Sequence, residues 1–350
     1  MESRVKAVIR VLVVEDSPLM CKILTSILNR DPEILVAAVA THGKEAVELV
    51  PCLKPDIITM DIDMPVMDGF EATRQIMAYH PTPILIVSSA AFKAGMEKVF
   101  KAISIGALDV IDKSELEFVG EKRSGEALIA KIKFFKGVRV LHRPLTKLRN
   151  ERAAVDLQAP GAKVSDKIVA IVASTGGPQA LHEILKRLPG DFPCGIVIVQ
   201  HITSGFLEGL VDWLAKECKI KVKIGEDAEE IRPGVAYIAP DHLQMRVRDG
   251  GRIILSNEPA YGGHRPSGDV LLESVARSYG KEGVAVILTG MGRDGAMGMK
   301  EIKQLHGKTI AQNEQSCVVF GMPYAAIEMK VTDKVLPLER IAGEIVAMVR

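Results

Sequence analysis

IVAIVASTGGPQAL, from Ile168 to Leu181, is apolar for six residues and then breaks into two hydroxyls, two glycines and a proline. A short apolar run closed by such breakers predicts a strand buried on both faces, and Pro178 suits the first turn of a helix that starts at once. A strand that feeds straight into a helix is the building unit of a parallel sheet with helices on both faces. GIVIVQ (195–200), VAYIA (235–239) and VAVILT (284–289) repeat this pattern, with helical stretches between them. MRVRDGGRIIL (245–255) interrupts it, and Asp249-Gly250 predicts an antiparallel hairpin insert.

The first part of the chain has the same alternation. VIRVLVVE (8–15), DIITM (56–60), PILIV (83–87) and DVID (109–112) predict buried strands, and PLMCKILTSILN (18–29) and GKEAVELV (43–50) predict helices between them. Leu128, Ile132 and Phe135 recur at helical spacing, so a last amphipathic helix should cover this sheet and run out near Leu141. From His142 to Asp166 the chain is basic and small, contains Pro160-Gly161 and loses its periodicity. It reads as a linker. The expected organisation is a domain over residues 1–141, a linker over 142–166 and a second α/β domain over 167–350.

A chain of 350 residues with 47% hydrophobic residues can bury two such cores. Lys plus Arg number 45 against 44 Asp plus Glu, which gives no electrostatic case for nucleic acid or an anionic membrane surface. No stretch is apolar for long enough to span a membrane or to serve as a signal peptide, so a cytoplasmic protein is expected. The five cysteines, Cys21, Cys52, Cys194, Cys218 and Cys317, are scattered without a C-x-x-C and do not form a disulfide or zinc pattern.

In the first domain, Glu15 and Asp16 close one predicted strand and Asp61 closes another, so a parallel sheet brings the three carboxylates to its carboxyl edge. Carboxylates so placed repel unless a cation joins them, and Mg2+ is a hard ion suited to oxygen ligands. Such an ion can bring a phosphoryl donor to a carboxylate nucleophile. Ser88 and Lys113 follow two further strands and could hold phosphate oxygens. A single acid at a strand end is as readily a helix cap, but five suitable residues at strand ends argue for a site.

VLVVEDS (11–17), DIITMDIDMPVMDG (56–69), IVSS (86–89) and GALDVIDK (106–113) resemble the receiver domain of response regulators, a flavodoxin-like fold with a parallel five-stranded sheet. The resemblance implies that Asp61 is the phosphoacceptor. It makes Glu15, Asp16, Asp61 and the backbone carbonyl of Asp63 the Mg2+ ligands, and Ser88 and Lys113 the phosphate-sensing pair. Val110 stands where receivers often carry an aromatic residue, and Ser114 follows Lys113 where proline is usual.

In the second domain, Ser174 at a strand-to-helix turn has the exposed hydroxyl and free backbone N–H groups of a nucleophile, although a turn serine is also a common N-cap. His201 follows GIVIVQ, and Asp294 lies in TGMGRDGA after VAVILT, so all three fall just past strand ends. His242 and His264 are rival loop positions for the base, and spacing alone does not choose among them.

AxSTGGPxAL, VIVQHI, ILTGMGRDGA and IAQNEQSCVVFGMP resemble the catalytic domain of chemotaxis protein-glutamate methylesterases, the CheB family. With the receiver, the resemblance spans nearly the whole chain. It implies that Ser174 is the nucleophile, His201 the base and Asp294 its orienting acid, that the Met291 backbone N–H stabilises the oxyanion, and that Thr175 helps to position His201. The implied function is a phosphorylation-activated hydrolase that removes methyl esters from glutamates of methyl-accepting chemotaxis receptors and deamidates receptor glutamines. A chemotaxis-type histidine kinase would be the phosphodonor, and the esterase would need no cofactor. The competing readings are a phosphorylation-dependent binding regulator with an idle esterase-like domain, and a serine hydrolase for small esters.

Overall fold

The computed structural model describes residues 8–89, 93–116, 125–138 and 166–350. The chain divides into two units, Met1–Ala153 and Ala154–Arg350. The linker expected over 142–166 lies outside the described residues except for Asp166.

The first unit alternates β1 (Ile9–Val14), α1 (Pro18–Leu28), β2 (Ile34–Ala40), α2 (Gly43–Leu53), β3 (Ile57–Met60), α3 (Gly69–Tyr79), β4 (Ile84–Ser88), α4 (Lys93–Ile105) and β5 (Asp109–Asp112), and α5 (Glu126–Phe135) follows. The strands form one sheet in the order β2-β1-β3-β4-β5, and every pairing is parallel. Helices cover both faces, which is why β3 and β4 are buried at every residue. Side chains set the helix starts: Ser17, His42 and Asp68 accept hydrogen bonds from the backbone N–H of Met20, Glu45 and Glu71. Leu128, Ile132 and Phe135 are the buried face of α5, as their spacing predicts. Because β1 pairs with β2 on one side and β3 on the other, the chain reverses direction of travel across the sheet there. That leaves a crevice beyond the ends of β1 and β3.

The second unit contains β6 (Ile168–Ala173), α6 (Gly177–Leu185), β7 (Gly195–Gln200), α7 (Leu207–Glu217), β8 (Lys221–Ile224), β9 (Val235–Ile238), β10 (Gln244–Arg248), β11 (Arg252–Ser256), α8 (Gly268–Tyr279), β12 (Gly283–Ile287), α9 (Ala296–Gln304), β13 (Lys308–Gln312), α10 (Met322–Glu328), β14 (Lys334–Leu336) and α11 (Leu338–Val349). Seven strands form a sheet in the order β14-β13-β12-β6-β7-β9-β8, parallel throughout. The expected hairpin is β10 and β11, paired antiparallel with Arg248 opposite Arg252. Its Met245, Val247 and Ile253 join Leu271, Leu272 and Val275 of α8 in one core with β6 and β12. Burying each such large apolar side chain contributes about 1.5–3 kcal/mol.

β6 is the centre of this sheet, with β7 and β12 as its neighbours, so the second crevice lies beyond the ends of these three strands. The turn after β6 explains its glycines. Gly176 has φ +76, and a Cβ there would meet Val318 Cβ at 2.6 Å; a Cβ on Gly177 would meet Gln200 Oε1 at 2.0 Å. The chain turns where only glycine lets it lie against its neighbours.

Candidate active site

Both crevices hold the residues that the sequence places at strand ends. In the first unit, Glu15, Asp16 and Asp61 each offer an oxygen within 4.8 Å of the others. Glu15 and Asp61 are buried and Asp16 is exposed. Lys113, just past β5, reaches between the buried pair: its Nζ lies 2.9 Å from Glu15 Oε2 and 2.9 Å from Asp61 Oδ2. Asp61 Oδ1 also accepts from the N–H of Ile62 at 2.7 Å.

Burial pushes the Glu15 carboxyl up, and the charge of Asp61 adds to the rise. Burial likewise raises Asp61, with Lys113 pulling the other way. Burial favours a neutral amine at Lys113, yet the two carboxylates hold it above the ordinary ammonium range. Three carboxylates and one ammonium leave a negative pocket of hard oxygen donors, which fits a divalent ion such as Mg2+. The Asp63 side chain is not part of this cluster. Its Oδ1 is 3.5 Å from Lys98 Nζ, so only its backbone carbonyl is left for the ligand role expected of it. Ser88 closes β4, buried and in register with Asp112 at the end of β5.

In the second unit, Ser174 and His201 each follow the last residue of a strand, on neighbouring strands. The His201 N–H donates to Ala173 O at 2.9 Å, and the Ser174 N–H donates to Thr289 O at 3.1 Å, tying the serine to the end of β12 as well. Gly290 packs so closely that a Cβ there would lie 2.7 Å from Ser174 Cβ.

Asp294 arrives from the loop after β12 and is 7% exposed. Its Oδ2 is 2.9 Å from His201 Nε2, a close approach that is not aligned as a hydrogen bond, and His201 Nδ1 is buried without a partner among the described residues. The carboxylate is otherwise fully engaged. Oδ1 accepts from Ser267 Oγ at 2.8 Å and the Asp269 N–H at 3.0 Å, and Oδ2 accepts from the Gly268 N–H at 2.6 Å. Burial by itself would raise this carboxyl, but His201 and the Gly268 and Asp269 amides outweigh it and hold it below the usual carboxylate range. An ionised acid fixed in this way can orient His201 and stabilise its imidazolium.

The structure brings Ser174, His201 and Asp294 to one crevice, whereas the Nε2 of His242 lies 3.1 Å from Ser204 Oγ. His264, the other rival, stacks on His201. Met291 is half-exposed in the Gly290–Asp294 loop, which is anchored by the N–H of Gly290 on Val319 O at 3.1 Å. Thr175 is held by its carbonyl, which accepts from Thr289 Oγ1 at 2.9 Å.

Sequence reasoning missed Gln200. Its buried amide donates to Ser174 O at 2.9 Å and His201 O at 2.7 Å, so it clips the two strand ends together. An amide at the end of the apolar GIVIVQ was the available signal. It also missed Ser267, whose hydroxyl had no local pattern to mark it.

Residues 169–345 match the family model described as CheB methylesterase, and residues 11–117 match the response regulator receiver domain. A protein from Syntrophus aciditrophicus (strain SB) named protein-glutamate methylesterase/protein-glutamine glutaminase 1 is 45% identical over 343 residues, covering 97% of this chain and 98% of that protein. A Halalkalibacterium halodurans protein-glutamate methylesterase/protein-glutamine glutaminase is 44% identical over 353 residues and 99% of both chains. The crystal structure of the Thermotoga maritima CheB methylesterase catalytic domain is 41% identical, covering 53% of this chain and all of that one, with a TM-score of 0.51.

Proposed function

The chain belongs to the CheB methylesterase family, with protein-glutamate methylesterase and protein-glutamine glutaminase activity, and on that premise we propose that Ser174, His201 and Asp294 carry out both reactions. The observation that carries this reading is the 2.9 Å approach of the His201 ring to the caged Asp294 carboxylate, at the strand end next to Ser174. With Nε2 facing Asp294, Nδ1 is the nitrogen for proton exchange with Ser174. Ser174 Oγ attacks the ester carbonyl while His201 takes its proton, and the Met291 N–H and the N-terminal end of α6 face the developing oxyanion. His201 then gives the proton to the departing methanol, and water attacks the acyl-serine to leave glutamate. From glutamine the same steps release ammonia.

The substrates are glutamyl methyl esters and glutamines on methyl-accepting chemotaxis receptors. Asp61 accepts a phosphoryl group from a chemotaxis-type histidine kinase, and Ser88 and Lys113 take up its oxygens. Glu15, Asp16, Asp61 and the Asp63 carbonyl would hold Mg2+, which supplies positive charge to the transferring phosphoryl group. Residues 1–141 restrain the esterase of 167–350 through the 142–166 linker until Asp61 is phosphorylated. Among the described residues no helix is long and apolar enough to cross a membrane, and we place the protein in the cytoplasm with its kinase.

The test is methanol release from isotopically methylated receptor membranes. Ser174→Ala should abolish it by at least about a thousandfold while the protein stays folded. Substantial release by the purified variant would overturn the assignment.

A further inference from the structure

His264 lies flat against the ring of His201, with ring centroids 4.2 Å apart and planes within 5° of parallel. Its place is built rather than incidental. His264 and Tyr261 exchange backbone hydrogen bonds of 2.9 and 3.0 Å across a tight turn. The His264 carbonyl accepts from the buried Gln244 amide at 3.2 Å, and the Gln244 oxygen accepts from the Ser267 N–H at 2.9 Å. Ser267 in turn donates to Asp294 at 2.8 Å. One loop thus supports both partners of the pair, Asp294 at its edge and His201 on its face.

Two chemistries fit a histidine in this position. His201, His264 and Asp294 offer ligand atoms within 4.8 Å of one another, a spacing that could hold a metal. The ring geometry opposes that reading. Imidazole binds a metal in its own plane, so two stacked rings aim their lone pairs side by side rather than at one ion. Stacking instead fixes the plane of His201, which a single contact to Asp294 leaves free to swing.

We propose that His264 is a positioning residue for His201: its ring face holds the plane of the base and supports the imidazolium that forms as Ser174 loses its proton. The proposal rests on the triad reading above. A face can support a cation only if its own ring is neutral. Burial, and then the nearby His201, both favour the neutral form of His264, with Asp294 opposing.

The test compares His264→Phe and His264→Leu in the full-length protein. Both fill the space, but only Phe keeps an aromatic face. The Phe variant should keep kcat for receptor demethylation within about threefold of the parent, while the Leu variant lowers it roughly 3- to 30-fold with KM unchanged. A purely structural role would move the melting temperature or KM and would not separate the two variants in kcat. Equal kcat for Phe and Leu would overturn the proposal. So would inhibition by micromolar Zn2+ that both variants abolish, which would reveal a chelating pair. The rate of Ser174 labelling by a fluorophosphonate is measured alongside, because it reports activation of the serine without the receptor substrate. An unlabelled Ser174 would sink the triad reading itself, whereas equal labelling of the Phe and Leu variants would sink only the role of His264.

Discussion

Lys113 Nζ stands 2.9 Å from Asp61 Oδ2, so the carboxylate proposed to accept phosphate already has a counter-charge at contact distance. The pair is held in a pocket whose other buried acid, Glu15, shares the same ammonium. One cation between two buried carboxylates does not satisfy both.

Burial raises both Glu15 and Asp61 above their ordinary values. For an acid whose folded value is raised, stability falls as pH climbs from the unfolded value through the folded one, and the loss is complete once pH has passed the folded value. Asp61→Asn should therefore raise the Tm of the metal-free protein by about 2–4 °C. Mg2+ should raise the Tm of the parent by mass action and that of the variant much less. A lower Tm for Asp61→Asn would mean that its ion pair with Lys113 outweighs the cost of burial.

Asp294 has the opposite sign, because its folded value is depressed. The stability it contributes is present above the unfolded carboxyl value of about 3.9 and is lost as pH falls through the folded one. Asp294→Asn should thus melt below the parent by a constant margin at neutral pH, a margin that narrows only below about pH 4. The same change should cut kcat by up to roughly 10⁴-fold through loss of the His201 tautomer and orientation. A margin that already closes near pH 6 would show that another group holds the pair together.

Val66 is 77% exposed and has φ +67, a conformation that costs a β-branched residue dearly. The N–H of Met67 donates to Pro65 O at 2.7 Å across it, which closes a three-residue turn beside the Asp61 crevice. Val66→Gly should stabilise the protein by about 1 kcal/mol, read as a higher urea midpoint at unchanged m-value. A lower midpoint would show that the side chain makes contacts that outweigh the backbone strain.

If the receiver restrains the esterase, a fragment starting at Lys163 should release methanol faster than the unphosphorylated full chain, by about 5- to 150-fold. A small phosphodonor with Mg2+ should raise the full-length rate and leave Asp61→Asn unchanged. Equal rates for fragment and full chain would leave recruitment to the substrate as the receiver's only means of action.

The sequence showed most clearly what repeats or sits at an edge. β3, β6, β7 and β12 are buried at every residue because both of their faces are covered. β1 is interrupted only by the exposed Arg10, and the site residues follow at the strand ends or, for Asp294, in the loop beyond β12. β2, β8, β13 and β14 did not stand out. ILVAAVA is small and half-exposed, and KVKI and KVL are short, partly exposed edge strands, so helix and strand patterns compete there. The cage around Asp294 was not readable either. Ser267, Gly268 and Asp269 meet it across the fold, and neither periodicity nor local propensity records a neighbour brought in by another element. For the same reason His264 could be named only as a rival base. Its stacking on His201 exists only once β7 and the loop before α8 are side by side.

β6 is made first among the strands of its sheet, yet it ends at the centre, with β12 emerging on the order of 100 residues later. At roughly 5–20 residues per second, ribosomal synthesis leaves one edge of this wholly buried strand unpaired for about ten seconds. The esterase half is therefore most exposed to aggregation while it is being synthesised, when the unpaired N–H and C=O groups along one edge of an apolar strand wait for their partner.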